Sequence, residues 1–247
     1  MKRFTLNARN AAMLLLLISL LFYAIDFIVF GHAPDIAAGF LGNFAFLPIY
    51  VLFVTLVIER VIRERERLAI RQKLNMVIGL FFNEVGTELL RNLTGFLPDP
   101  RDLLERLKVT VHWSDRDFKD ATDFLAQWEQ KVDSRRGELA CLKDYLVGKK
   151  GALLGLLENP NLLEHDEFTD LLWAVSHLLQ ELEARKSLTG LPDTDLNHLS
   201  GDIQRVYTFL LREWIIYMQH LKADYPYLYS LAVRMNPMDP EAHPEVM

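Results

Sequence analysis

ERVIRERERLAIRQKLNMVIGLFFNEVGTELLRNL, from Glu59 to Leu93, is the stretch on which the fold turns. It opens with Arg60, Arg63, Arg65, Arg67, Arg71 and Lys73 and contains no Gly or Pro before Gly79. Leu74, Val77, Ile78, Phe81, Val85, Leu89 and Leu93 then recur at three- and four-residue spacings, the period of one helix face and not of a strand. The opposite side is apolar as well, at Met76, Leu80 and Leu90, so this helix has to be buried on more than one side. Gly79 and Gly86 admit a neighbouring backbone, which makes Met76, Gly79, Leu80, Gly86 and Leu90 a candidate face for self-association.

Upstream of this helix lie two apolar runs. One covers about 11–30 and holds a single charge, Asp26; the other covers about 40–58, with no charge between Asp35 and Glu59. Each approaches the roughly 20 residues that a helix needs to cross the hydrocarbon core. Lys2, Arg3 and Arg9 precede the first run, the basic stretch follows the second, and the connection from Gly31 to Gly39 has no Lys or Arg. That asymmetry predicts a two-helix transmembrane hairpin in the cell (inner) membrane, both termini cytoplasmic, with the lipid bilayer as a partner. No small-residue cleavage site follows Tyr23, which argues against a cleaved signal. Within the expected spans the polar candidates are Asp26 and Asn43. An ionisable group in hydrocarbon suggests ion or proton handling, but Asp26 lies about four residues, roughly 6 Å, from the outer end and is placed to hydrogen-bond Asn43.

Downstream, the pattern is helical throughout and punctuated by Pro, Gly and capping residues. Pro98 and Pro100 end the opening helix, and a short element is expected from Asp102 to about Trp113. Ser114 with Asp117 marks a capped start for a helix over Asp115 to Val132. Glu138 to Leu157 reads as a helix weakened by Gly148, Gly151 and Gly155, and Asn159, Pro160 and Asn161 break it. A helix beginning at Asp166 carries Phe168, Leu171, Leu172, Val175, Leu178, Leu179 and Leu182; Gly190, Leu191 and Pro192 form the next turn. Ile203, Tyr207, Leu210, Trp214, Tyr217 and Leu221 follow as the stripe of a central bundle helix. The expected fold class is therefore all-α: a tail over 1–10, the hairpin over 11–58, a juxtamembrane helix over 59–97, a cytoplasmic bundle of about six helices over 98–236, and a loose tail over 237–247.

Charge narrows the function classes. From Leu74 onward 18 Lys and Arg stand against 28 Asp and Glu, a net charge of −10 with His neutral. Such a body repels polyphosphate and has no basic groove interleaved with aromatics, which excludes nucleic acid as a partner and favours a basic protein surface. The lone Cys141 rules out an intramolecular disulfide and is expected in the core.

The groups able to carry chemistry are few. His165–Asp166 resembles the metal-binding dipeptide of HD-type phosphohydrolases, with His112 and Asp202 as further imaginable ligands; Asp166 also suits a helix start. Asp195, His198 and Asp202 fall at i, i+3 and i+7, placing two carboxylates and an imidazole on one face, which Arg205 continues as an ion-pair surface. Val175, Ser176, His177, Leu178 and Glu181 resemble part of the phospho-acceptor box of sensor histidine kinases, yet no glycine-rich nucleotide motif follows from Leu191 to Met247. His177 shares a flank with Trp173 and Glu181, the setting of a histidine packed at a core boundary. GKKGALLG from Gly148 lacks the Walker spacing. No metal-ligand set is complete and no cofactor is expected. The expectation is a membrane-anchored, non-enzymatic scaffold, adaptor or signalling component acting through a protein partner or as a homo-oligomer. The rival readings are a metal-dependent hydrolase and a small channel or transporter subunit.

Overall fold

The computed structural model describes residues 21, 24, 25, 27, 28, 39, 50, 53, 54, 56–66, 74–128, 131–159 and 166–246. They belong to two compact units, Met1–Glu66 and Arg67–Met247. All regular structure among the described residues is helical, as the periodicities require.

In the first unit the expected transmembrane hairpin has to be corrected. Among the described residues no helix is long and apolar enough to cross a membrane. The longest described stretch, 56–66, is charged at Glu59, Arg60, Arg63, Glu64, Arg65 and Glu66, with Glu59 and Arg63 paired at 3.2 Å. Most of 11–30 and 40–58, with Asp26 and Asn43, lies outside the described residues. The multi-pass topology and the inner-membrane location lose their support together. A count of apolar residues measures the cost of entering hydrocarbon; it does not establish the single uninterrupted apolar helix that crossing demands.

Among the described residues of the second unit the first element is helix α1, residues 74–94. Its middle is a π-helical turn, Phe82–Gly86, which passes into the α-helix Thr87–Thr94. The Thr87 N–H bonds to the Phe82 carbonyl, and Thr87 Oγ1 donates to the same oxygen at 2.8 Å. The extra residue in the turn shifts the helix face by about 100°. Leu90, read from spacing as an outward residue, is consequently buried beside Leu89 and Leu93, while Met76 and Leu80 ahead of the turn remain exposed. At Gly86 a Cβ would lie 2.6 Å from Phe82 Cδ1 and 2.8 Å from Phe81 Cε1, so two aromatic rings of the same helix occupy that space.

The remaining helices are α2 (Arg101–Leu107), α3 (Asp115–Ala126), α4 (Leu139–Leu157), α5 (Asp166–Ala184), α6 (Asp193–Asp224) and α7 (Pro226–Arg234). Ser114 and Asp117 form the expected capping box at the start of α3, with the Ser114 N–H 2.6 Å from Asp117 Oδ2. Helix α6 is the centre of the bundle and packs against α1, α3, α5 and α7. Its stripe Ile203, Tyr207, Leu210, Trp214, Tyr217 and Leu221 is buried as expected, and Leu199 and Val206 are buried beside it. Around Trp214 and Tyr217 the core is aromatic. Phe82 stacks on Tyr217 at 4.8 Å and meets Trp214 edge-on at 5.4 Å, and Phe81 meets Phe168 edge-on at 5.3 Å.

Two details differ from the sequence reading. The segment after Pro237 is anchored: Met238 is buried, its N–H bonds to Asn236 Oδ1, and Asp239 pairs with Lys108 at 2.8 Å. Cys141 is exposed on α4 and not a core residue, because the buried face of that helix is taken by Leu139, Leu142 and Leu146.

Candidate functional site

Helices α5 and α6 form an antiparallel hairpin. The turn between them contains Gly190 at φ +71°, a left-handed conformation that a Cβ would strain. Asp193 and Asp195 occupy the first turn of α6, where the helix dipole favours acidic groups. In such a hairpin, residues equally far from the turn on the two helices face each other. His177 and Glu181 on α5 are four apart, as are His198 and Asp202 on α6, so each pair lies on one helix face.

The four side chains converge. His198 Nε2 lies 3.3 Å from Asp202 Oδ2 and 3.6 Å from Glu181 Oε2. His177 Nε2 lies 3.7 Å from Asp202 Oδ2 and 3.8 Å from Glu181 Oε1. One potential ligand atom from each residue can be chosen so that all four lie within 4.8 Å of one another. Two arginines hold the carboxylates from behind. Arg185 Nη1 donates to Glu181 Oε2 at 2.8 Å and also to the Glu181 carbonyl, while its Nε and Nη2 grip Asp195 at 2.9 and 2.6 Å. These hydrogen bonds keep Glu181 and Asp195 below the usual carboxylate range. Arg205 Nη1 donates to Asp202 Oδ1 at 3.0 Å. Asp202 itself is only 3% exposed, and its Oδ2 has no hydrogen-bond partner.

The structure thus unites His198 and Asp202, both singled out by sequence, with His177 and Glu181, which sequence placed on a different helix. Asp195 stands beside this group as a partner of Arg185. Asp166 is exposed at the start of α5, and His165 lies outside the described residues. His112 is exposed in a turn before α3, and among the described residues it joins no metal-competent group.

Further along α6 the character changes. Glu213 is buried, both of its carboxylate oxygens lack partners, and burial, reinforced by the charge of Glu167, pushes it up to about 7. Past it, α1, the end of α6 and α7 enclose a groove of about 790 Å³ with Met76, Leu80, Tyr217, Tyr227 and Leu228 on its walls. None of the described residues lining it is Asp, Glu, Lys or Arg. Met76 and Tyr227 are each 71% exposed and Leu80 is 54% exposed. Of the five self-association candidates, Met76 and Leu80 are open on this rim. Gly79 faces Tyr217 at 3.6 Å, and Gly86 and Leu90 are covered by the chain's own residues.

Residues 70–234 match the family described as "Uncharacterized protein MJ1433, C-terminal helical domain", and residues 4–62 the one described as "MJ1433, N-terminal helical domain". The stretch expected to form a membrane hairpin is therefore matched as a helical domain. A relative from Methanocaldococcus jannaschii, "Uncharacterized protein MJ1433", is 45% identical over 229 residues, 92% of each chain. No solved structure matches. With both helical domains present in order, the chain belongs to the MJ1433 family.

Proposed function

We propose that this chain is a non-enzymatic scaffold that acts through protein–protein contacts and assembles with a second copy of itself across the groove beside Met76 and Leu80. The observation that carries this reading is a mainly apolar groove, with no Asp, Glu, Lys or Arg among the described residues on its walls and with exposed Met76, Leu80 and Tyr227 on its rim. Exposed apolar surface gathered in one place marks an interaction site, whereas scattered exposed apolar residues do not. The rim is a ridge and the groove is a slot. Two copies related by a two-fold axis insert each other's Met76 and Leu80, the isologous arrangement in which one patch serves both sides.

Charge favours the same contact. A body at −10 from Leu74 onward repels another copy over most of its surface, and a groove with no acidic residue on its described walls is where two such bodies meet at least electrostatic cost. The acidic remainder stays available to a basic partner.

Sedimentation of the full chain over a range of concentrations tests the proposal. The wild type is expected to dimerise, and Leu80→Glu with Met76→Lys to weaken dimerisation by about 30-fold or more, the effect of losing a central interface contact. A wild type that stays monomeric at every concentration, or a dimer unchanged by the double substitution, refutes it.

A further inference from the structure

We propose that His177, Glu181, His198 and Asp202 form a binding site for one divalent transition-metal ion, of the zinc class, that clasps α5 to α6. The inference is independent of self-association and rests on side chains at the opposite end of α6 from the groove.

Three observations carry it. The first is distance. Zinc bonds of about 2.0–2.2 Å to nitrogen and oxygen in a tetrahedron set neighbouring ligand atoms roughly 3.3–3.5 Å apart. With Glu181 Oε1 and Asp202 Oδ2 as the carboxylate ligands, the His198–Asp202, His177–Asp202 and His177–Glu181 separations are 3.3, 3.7 and 3.8 Å, and one ligand atom from each of the four residues can be chosen within 4.8 Å of the others, so the imidazoles have to turn inward to close the shell. The imidazoles are about half exposed and free to make that adjustment.

The second is the orphaned acceptor. Asp202 is 97% shielded from solvent, its Oδ1 is bonded to Arg205, and Oδ2 lies 3.3 and 3.7 Å from the Nε2 atoms of His198 and His177 without a hydrogen bond. A buried carboxylate oxygen without a donor is costly unless a cation completes it. The third is the outer shell. Arg205 on Asp202 and Arg185 on Glu181 each fix one carboxylate oxygen and leave the other, Asp202 Oδ2 and Glu181 Oε1, for the ion. Outer hydrogen bonds that orient metal-binding carboxylates are a regular feature of built sites. With the imidazoles neutral, the two carboxylates balance the two arginines and Asp195 adds one negative charge, so a dication meets no net repulsion.

Two imidazoles and two carboxylates fill four positions and leave none for a substrate. The ion's role is accordingly to hold the two helices together, since anything bound only by the folded state stabilises it.

The test uses the full chain, stripped with a chelator and titrated with Zn²⁺ against a chromophoric competitor, then with Co²⁺ as a spectroscopic probe. One Zn²⁺ per chain is expected, together with the visible bands of tetrahedral Co²⁺ and a rise in Tm on loading. His177→Ala with His198→Ala, at half-exposed positions, is expected to keep the helical circular dichroism, lose about 100-fold or more in affinity and abolish the Tm response. Asp202→Asn, which preserves shape and removes the charge, is expected to lose the Co²⁺ bands. Absence of stoichiometric Zn²⁺ in the wild type, or equal affinity in the double variant, overturns the assignment.

Discussion

The two ends of α6 are built from different materials. Near the turn, at Asp195, His198 and Asp202, the helix meets α5 through charged and imidazole groups held by Arg185 and Arg205. At the far end, from Trp214 to Leu221, it meets α1 through stacked aromatic rings and opens onto a mainly apolar groove. Apolar burial is non-directional and holds the bundle together. Near the turn Leu199 and Ile203 continue that apolar core, and the polar groups beside them fix atoms at defined distances. One helix thus carries an apolar core along its whole length and a polar cluster at one end only.

The contrast is sharpest in core substitutions. Phe82→Ala removes a ring that stacks on Tyr217 and touches Trp214, and it is expected to cost about 3–5 kcal/mol in denaturant unfolding. His198→Ala in metal-free protein is expected to stay within about 0.5 kcal/mol of the wild type, as for other surface positions. Equal effects at the two sites would erase the distinction between the ends.

Glu213 lies between the two regions and gives the next largest effect. Its folded-state value of about 7 lies above the ordinary carboxylate range, so between the two the folded chain holds more protons than the unfolded chain. The contribution is fully present below about pH 4.3 and is lost as pH rises through about 7, on the order of 3 kcal/mol. Urea midpoints of the wild type and Glu213→Gln at pH 5 and pH 8 check this. The wild type is expected to lose stability relative to the variant at the higher pH, and a difference independent of pH would show that the carboxylate is not protonated by burial.

The smallest effect on stability belongs to the groove. Leu80→Glu is expected to change monomer stability by no more than about 0.5 kcal/mol while weakening dimer formation, measured by unfolding and by sedimentation on the same samples. A large loss of stability would instead make Leu80 part of the core.

Much of the helical architecture was legible because amphipathic spacing and caps are local. The stripe from Ile203 to Leu221, the box at Ser114 and Asp117, and the turn at Gly190 all announce themselves within a few residues. The π turn was not legible: nothing in FFNEVG marks an extra residue, yet it decides that Leu90 is buried and Met76 is open. The apolar runs before Glu59 misled: among the described residues no helix is long and apolar enough to cross a membrane. The four-residue site was half visible. Asp195, His198 and Asp202 were seen on α6, and His177 with Glu181 was seen on α5, but as unrelated faces. The overlooked signal was two His-x-x-x-acid pairs placed at matching distances on either side of one turn, which a hairpin brings opposite each other.

Amide hydrogen exchange of the full chain with and without Zn²⁺ tests the separation of the two ends most directly. The account predicts that zinc slows exchange in the backbone around His177–Glu181 and His198–Asp202 and leaves Tyr225–Leu231 unchanged. Unaltered exchange across the hairpin, or slowing centred on Tyr225–Leu231, would contradict it.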